Sequence, residues 1–474
     1  MGLLAATALA LGLAGCTTGP ASSRSSHGSS DAGSAPRKLQ PRPARQTNHQ
    51  TSASLDAPPT LQPGARLEDY VALALVLHPR LGSAVQSSLS ARAAVGTVGR
   101  FPDPRLRYRS FLQEVETRVG PQDQAIGLSW TLPWFGKRAL QREAAERSAE
   151  ARDHRTELVR ARVVGDVKRA YFEALHLERA LNVIRRRRTL AAETETIARA
   201  RYRSGAGGSA QPDVIRAQLE LERLNNEMRS LEDRRVSLEA RLRAAIGLRA
   251  EAPLPWPSQM PELETLPSAK TFLDAVERSN PSLREREAMW RKASHDVELA
   301  RKAPWPDVTL GVDYIDTGSA RMAGVPDSGD DALSLSISFP LPLDRGRYAS
   351  LLRAARSRLR ADELALDAER DDLRSLASEV YFRAQDARRR FELYESTLLP
   401  KARESRAATK ASYRGGDGSF QDLIDVERLL LEFELARERA LADFAVEWAT
   451  MEELFAGQGM TPSEPAQGDG ERAG

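Results

Sequence analysis

Cysteine is almost absent from this sequence: among 474 residues there is only Cys16. One thiol cannot form an intrachain disulfide, and it excludes a cysteine-rich metal site. Histidine is also scarce, and the six histidines form neither an HExxH motif nor a paired spacing typical of metal ligands. No glycine-rich phosphate loop follows a predicted strand, and no GxSxG motif occurs. We therefore expect no enzyme, no cofactor and no metal site.

Long hydrophobic runs and an excess of one charge are missing as well. After the N-terminal segment no stretch of about 18 apolar residues occurs, so no transmembrane helix is expected. The net charge is only +3, which is weak evidence for a nucleic-acid partner. The arginines from Arg185 to Arg188 would point in all directions on a helix, and Glu178 and Glu193 flank them. A solvated outer surface is favoured over a nucleic-acid site.

The N-terminus has the pattern of a targeting segment. Residues 3–14 are apolar and rich in small side chains, and they end in Leu13-Ala14-Gly15-Cys16, which resembles a bacterial lipoprotein box. We predict a signal peptide over residues 1–15, lipidation of Cys16 and a disordered tether over 16–65. Only Met1 and Gly2 precede the apolar run, so no basic region does. The alternative is a chance cysteine at the end of an apolar stretch.

Proline is absent, and glycine occurs only as Gly165, between Lys137 and Arg203. Good helix formers dominate these residues, and one continuous helix would be about 100 Å long. Arg345 to Arg414 predicts a second long helix, and a glycine-rich turn and a returning helix follow each. On the first return, apolar residues from Val214 to Ala245 recur at steps of three and four, which is typical of coiled-coil packing. Such helices must lie against other long helices.

Four short segments instead alternate with a period of two, and we predict strands near 104–112, 124–132, 307–315 and 332–339. Large apolar side chains on one face and small or polar ones on the other are typical of membrane barrel strands. If Leu106 and Tyr108 face lipid, the residues between them would face a barrel lumen. These lumen candidates are Arg105, Arg107 and Arg109. The alternative is that these arginines are solvated at the rim.

The whole pattern occurs twice. Asn280-Pro281 repeats His78-Pro79, and later matched pairs are offset by 204, 207, 210 and 209 residues, a drift typical of tandem duplication. We predict a first repeat over 66–250 with a tip turn near 204–213, and a connector over 251–267. The second repeat covers 268–457 with a tip turn near 414–422, and 458–474 is a disordered tail.

Four strands are too few to close a barrel, and an open sheet edge in lipid leaves backbone groups unsatisfied at several kcal/mol each. Three copies would supply twelve strands, which is within the range of known barrels. The predicted fold is mainly α with a small β part. Duplicated long coiled-coil hairpins and four membrane strands per chain would form a trimeric α-barrel and a 12-stranded β-barrel. A helical tube about 100 Å deep could span a periplasm.

This topology resembles the TolC family of outer-membrane efflux proteins. The resemblance covers about Leu67 to Gly457 and includes two turn motifs, Tyr202-Arg203-Ser204-Gly205 through Asp213-Val214 and Tyr413-Arg414-Gly415-Gly416 through Asp422-Leu423-Ile424-Asp425. The Cys16 box resembles the lipoprotein branch of that family. The resemblance implies a homotrimeric conduit that docks onto a periplasmic adaptor and an inner-membrane transporter.

The implied function is a passive exit channel of a tripartite efflux or type I secretion system, with a gated periplasmic tip. Its location would be the outer membrane, lipid-anchored and extending into the periplasm. The alternative is a lipid-anchored periplasmic coiled-coil scaffold or adaptor without a barrel. The sequence gives no cargo.

Two aspartates near the second turn are candidates for a pore constriction. Asp422 and Asp425 are three residues apart and share one helix face. In TolC, aspartates at matching positions ring the pore, and six carboxylates in a trimer would repel one another and favour cation binding. The alternative is that Asp422 caps its helix and Asp425 is solvated.

The resemblance also implies a gate latch. Asp213 and Tyr413 match positions that hold neighbouring helices together in closed TolC, and a tyrosine hydroxyl can donate to a carboxylate. Gly418 stands where TolC has an arginine of that latch. The closed state would be held more weakly, or by Arg414. The alternative is that Asp213 is only a helix cap.

Overall fold

The computed structural model describes residues 61–204, 210–249, 251–262, 265–415 and 417–455. The predicted signal peptide, Cys16, most of the tether and the tail lie outside these ranges. In chain order the described elements are α1 (Leu67–Leu77), α2 (Pro79–Val95), β1 (Arg105–Thr117), β2 (Gly120–Leu132), α3 (Lys137–Arg203), α4 (Ala210–Ile246), α5 (Ala269–Ser279), α6 (Pro281–Arg301), β3 (Val308–Thr317), β4 (Ala332–Ser338), α7 (Arg345–Leu393), a π turn (Tyr394–Leu398), α8 (Leu399–Gly415) and α9 (Phe420–Leu454).

The first long helix is continuous. α3 runs for 67 residues from Lys137 to Arg203, as the lack of proline predicts. Gly165 lies where a Cβ would come within 2.4 Å of the Glu453 carboxylate, which pairs with Arg169 at 2.6 Å. The glycine in this helix therefore leaves room for an ion pair between α3 and α9. No helix in the described ranges combines the length and apolar character needed to cross a bilayer.

The second long helix is interrupted, which its composition did not predict. α7 ends at Leu393, and a π turn of five residues joins it to α8. Pro400, the second residue of α8, has no backbone N–H and cannot donate to the carbonyl four residues before it. The N–H of Leu399 instead bonds to the carbonyl of Tyr394, five residues back.

All four strands form one antiparallel sheet in the order β1-β2-β3-β4. The central pair, β2 and β3, joins the two repeats. β1 and β2 are longer than the predicted segments. Their pairing is irregular after Ser110 and resumes where Val115 lies opposite Gln122. Side-chain alternation is lost there, while backbone pairing continues. The observed helices and sheet confirm the predicted fold class.

Each repeat has its own apolar core, and the two cores use matched tyrosines. Tyr171 packs edge-on to Tyr70 and donates from its hydroxyl to the Gln259 carbonyl at 2.6 Å. Tyr381, its counterpart in the second repeat, stacks on Phe272, and its hydroxyl donates to the Pro267 carbonyl at 2.9 Å. Both tyrosines thereby fix the segment between the repeats to a long helix.

Candidate functional site: the sheet face and the helical tip

One face of the sheet is a continuous apolar surface. The register places Leu106 beside Leu128, Leu128 beside Val312, and Val312 beside Leu335. Neighbouring rows add further apolar side chains, and Leu106 and Leu335 are each 75% exposed. The exposed members of this membrane-type face are Leu106, Tyr108, Ile126, Leu128, Trp130, Leu310, Val312, Tyr314, Leu333, Leu335 and Ile337. A monomeric soluble protein rarely exposes an apolar surface of this kind.

The other face carries the three predicted lumen arginines. Arg105 lies in one row with Ser129 and Gly311, and Arg107 lies in the next row with Gly127 and Asp313. Arg109 follows in the row of Ala125. The structure therefore puts all three arginines opposite the apolar face, whereas their position in a lumen stays a prediction.

Glycine on the polar face makes room for polar side chains. A Cβ on Gly127 would lie 2.0 Å from the Asp313 Oδ1, and one on Gly311 would lie 2.5 Å from the Ser336 Oγ. Both glycines therefore allow a neighbouring strand's polar group to lie over the sheet. This face of the sheet therefore carries small and polar side chains.

At the opposite end of the long helices, Tyr413 is buried among all four helix ends. Its side chain is only 3% exposed, and its ring lies 5.4 Å from that of Phe420 at the start of α9. The Arg201 guanidinium lies 4.5 Å from the same ring, and its Nη1 donates to the Tyr413 carbonyl at 2.7 Å. Arg201 thus connects the end of α3 to the end of α8.

The structure also brings Asp213 to Tyr413. Asp213 lies in the first turn of α4, which begins at Ala210. Burial raises the pKa of the Asp213 carboxyl, while Arg216, Arg201 and the Tyr413 hydroxyl oppose that shift. Burial is also the main cause that raises the pKa of Tyr413, followed by the Asp213 charge. The two predicted latch residues are therefore neighbours within one chain, and their latch role stays a prediction.

Sequence reasoning missed Arg201. It noted instead that Gly418 stands where TolC has the arginine of its latch, and the structure shows why position 418 holds a glycine. A Cβ on Gly418 would lie 2.8 Å from the Tyr413 backbone nitrogen, so no larger side chain fits this turn. The N–H groups of Asp417 and Gly418 both donate to the Ser412 carbonyl at 3.1 Å. Arg414, the alternative from the sequence, is exposed. The only signal for Arg201 was its place in the last turn of α3.

Asp422 and Asp425 are both exposed at the start of α9, away from the buried Leu423 and Ile424. The alternative role of Asp422 as the helix cap is wrong, because Ser419 accepts from the Gln421 N–H at 3.0 Å and is the N-cap. Asp425 accepts from the Gln421 side chain at 2.9 Å. Their arrangement as a ring stays a prediction, since it needs other copies of the chain.

Comparison with known proteins identifies the family. The profile of the outer membrane efflux protein family matches residues 71–248 and 272–457, which are the two repeats. The chain belongs to the outer membrane efflux protein family. Protein CyaE of Bordetella pertussis is 25% identical over 344 residues, which are 69% of this chain and 71% of CyaE. The pyoverdine export outer membrane protein OpmQ of Pseudomonas putida is 23% identical over 314 residues, 65% of either chain.

Solved structures show the same fold. The outer membrane protein VceC of Vibrio cholerae superposes with a TM-score of 0.67 at 18% identity, over 82% of this chain and 96% of VceC. Family membership confirms the predicted TolC-type resemblance and the outer-membrane location. The chain is an outer-membrane exit channel for efflux or secretion.

The interpretation of Arg185 to Arg188 in α3 as a solvated outer surface is wrong for one of the four arginines. Arg187 is only 8% exposed, so the run is not a uniformly solvated surface. Its Nε donates to Glu434 at 2.8 Å and its Nη1 lies 3.2 Å from Glu427, both on α9. Burial of a charge is tolerated here because two carboxylates pair with it. Arg185 and Arg188 remain exposed polar contacts of α3.

Proposed function

We propose that three copies of this chain assemble into one channel, with a 12-stranded β-barrel in the membrane and a helical tube in the periplasm. The observation that carries the proposal is the open sheet with one exposed apolar face. Within the described residues, the outer edges of β1 and β4 have no strand partner. In lipid, each unpaired backbone group would cost several kcal/mol, so β1 of one copy pairs with β4 of the next.

The helices continue this arrangement below the sheet. α2, α3, α6 and α7 lie side by side in the same order as the strands to which they connect. α3 alone is about 100 Å long at 1.5 Å per residue. Three such sets would enclose a pore that continues the barrel. The Arg105, Arg107 and Arg109 side chains would line its upper part.

At the tip, we infer a gate built within each chain. Asp213, Arg201 and Tyr413 hold the end of the first hairpin against the second, and the exposed Asp422 and Asp425 would form the constriction with their copies. Opening then requires the two hairpin ends to separate, which removes Tyr413 from its buried place. The chain acts as a passive conduit without catalysis.

The partners we propose are a periplasmic adaptor and an inner-membrane transporter, as in tripartite pumps. The names of the two relatives differ in what they describe, since only OpmQ is named for pyoverdine export. The cargo therefore stays open between small exported molecules and larger secreted ones.

A scaffold or adaptor without a barrel is the competing function, and the sheet argues against it. A lipid-tethered scaffold would expose the apolar face to water, where it would favour aggregation. Replacement of the lipidation candidate, Cys16→Ala, separates the two functions. We expect the variant to stay in the membrane fraction until detergent is added. Release into buffer without detergent would contradict the barrel.

Electron microscopy of detergent-purified particles tests the assembly directly. We expect three-fold symmetry, a short barrel at one end and a helical tube about 100 Å long. Particles of one chain, or a ring of any other number, would overturn the proposed trimer. Single-channel recording from the same preparation then tests whether the assembly conducts.

A further inference from the structure

A groove of about 970 Å³ lies where the apolar sheet face meets the top of α3. Its apolar wall continues the membrane face, since Leu132 and Val308 are the last residues of the apolar rows of β2 and β3. Phe101 covers one side, with its ring 5.2 Å from that of Trp130. The groove is therefore at the edge of the membrane surface, on the periplasmic side of the sheet.

Aromatic side chains and cations surround this groove in the arrangement typical of a membrane interface. Trp134 stacks on Trp305 with ring centres 5.0 Å apart, and Phe135 beside it is 84% exposed. Lys137 is already neutralised, because its Nζ lies 2.9 Å from Asp307. Lys302 donates to the Phe135 carbonyl at 3.3 Å.

Arg138 lines the groove itself, whereas Lys137 and Lys302 lie beside it. Its guanidinium lies 3.4 Å above the Phe101 ring, and its Nε donates to the Gly99 carbonyl at 2.7 Å. Among the residues that the structure describes, no carboxylate lies within the 4.0 Å of an ion pair. Its other N–H groups remain available beside an apolar wall. A planar guanidinium binds a phosphate with two parallel hydrogen bonds, and an apolar wall beside it suits the acyl chains that a phospholipid phosphate carries.

We propose that this groove, which we call the junction groove, binds one glycerophospholipid of the inner leaflet in each chain. Arg138 would bind the phosphate, and Phe101, Leu132, Phe135 and Val308 would contact an acyl chain. The inference goes beyond the exit-channel function, and its choice of the inner leaflet rests on the proposed function, in which the helices extend into the periplasm.

Two observations favour a lipid over another occupant. The groove continues the membrane face, and Arg138 is the arginine of its lining that no described carboxylate pairs. The other charged groups of the lining have partners, because Arg142 pairs with Glu146 at 2.9 Å and Glu143 lies 3.1 Å from His295.

Native mass spectrometry of the detergent-purified protein tests the junction groove. The probes are palmitoyl-oleoyl phosphatidylglycerol and the diacylglycerol with the same chains. We expect saturable binding of the phospholipid, about tenfold weaker binding to Arg138→Gln, and no comparable binding of the diacylglycerol. The control Arg360→Gln removes an exposed arginine of α7 that pairs with Glu363, and it should bind as the unmodified chain does.

Phe135→Ala provides a second variant in case Arg138→Gln fails to fold, because Phe135 is exposed and its removal leaves the fold intact. It should weaken phospholipid binding several-fold. Unchanged binding to both variants would overturn the proposal. Equal binding of the diacylglycerol, or full competition by inorganic phosphate, would also overturn it. Binding is counted per chain, so a failure of the trimer would not affect this outcome.

Discussion

The two repeats have the same order of elements but different surroundings. α3 lies inside the chain, in contact with α2, α4, α6 and α9, and buries residues along most of its length. α7 lies at the edge and buries far fewer. Phe172 and its counterpart Phe382 show the difference directly, with 3% and 63% of the side chain exposed. The matched helices therefore differ according to which neighbours cover them. In the proposed trimer, a second copy of the chain would cover α7.

The tips differ in a related way. Tyr202 and Tyr413 begin matched turn motifs, yet Tyr202 is 52% exposed and Tyr413 is buried. Phe420 packs on Tyr413, whereas the corresponding position of the first repeat is the exposed Gln211. The aromatic pair at the tip therefore belongs to the second repeat, and the first repeat adds the small Ala198 and Ala217 to the same cluster.

The charges of the tips differ as well. Asp213 pairs with Arg216 at 3.6 Å in the first repeat, while the matched positions of the second repeat are Asp422 and Asp425. At these matched positions the first repeat has one carboxylate and one guanidinium, whereas the second has two exposed carboxylates. In the proposed channel, the constriction would therefore come from the second repeat.

The largest expected effect comes from the matched phenylalanines. Phe172→Ala should lower the free energy of unfolding by about 3 to 5 kcal/mol, because a cavity replaces a buried ring. Phe382→Ala should leave the fold of the chain intact and weaken association between copies. Thermal unfolding by circular dichroism and size-exclusion chromatography in detergent measure the two effects. Equal losses of folding stability would contradict the edge position of α7.

The acidic pair should govern cation block. Asp422→Ala with Asp425→Ala should abolish block of the channel by trivalent cations in single-channel recordings, since the proposed ring of charge disappears. In the opposite direction, Arg216→Asp gives the first tip an acidic pair and should strengthen the block. Unchanged block in the double variant would remove the ring.

The two turn tyrosines should differ in their effect on the closed state. Tyr413→Phe removes a buried hydroxyl beside Asp213 and should raise the resting conductance about fivefold, the equivalent of one hydrogen bond. Tyr202→Phe, the matched change at an exposed site, should leave it unaltered. If both variants conduct like the original chain, Asp213 and Tyr413 only support the fold of the tip.

A smaller effect concerns pH and His176, whose place in the second repeat is taken by Asp386. His176 is half-buried, and its buried Nδ1 has no hydrogen-bond partner among the described residues. Desolvation lowers the pKa of His176, with Arg439 as the next cause. The native state therefore binds fewer protons than the unfolded state. Stability should fall as the pH drops through the usual histidine range toward the lowered pKa.

His176→Gln should flatten that fall. The unfolding temperature of the variant should decrease less than that of the original chain between about pH 7.5 and about pH 5.5, around the usual histidine value. Parallel curves for the two proteins would show that His176 does not contribute to the pH dependence.

Periodicity and local composition account for what the sequence could predict. The strands and the duplication leave repeating patterns along the chain, and the 67-residue α3 follows from the absence of proline and the many good helix formers. Contacts between distant segments leave no such pattern. The pairing of Arg187 with Glu434, across 247 residues, and the stacking of Arg201 on Tyr413 therefore appeared only in the structure. Ser419 replaced Asp422 as the cap because either residue type can cap a helix, and the backbone decides between them.

The π turn at Tyr394–Leu398 accommodates one residue by which the two repeats differ in length. Tyr171 and Tyr381 are 210 residues apart, whereas Tyr202 and Tyr413 are 211 apart, so the second repeat has one residue more than the first between these points. In an unbroken α-helix that residue would rotate everything after it by about 100°. The wider turn takes up the additional residue locally. The buried Tyr413 therefore keeps its contacts with Arg201 and Phe420 although the spacing of the two repeats differs by one residue.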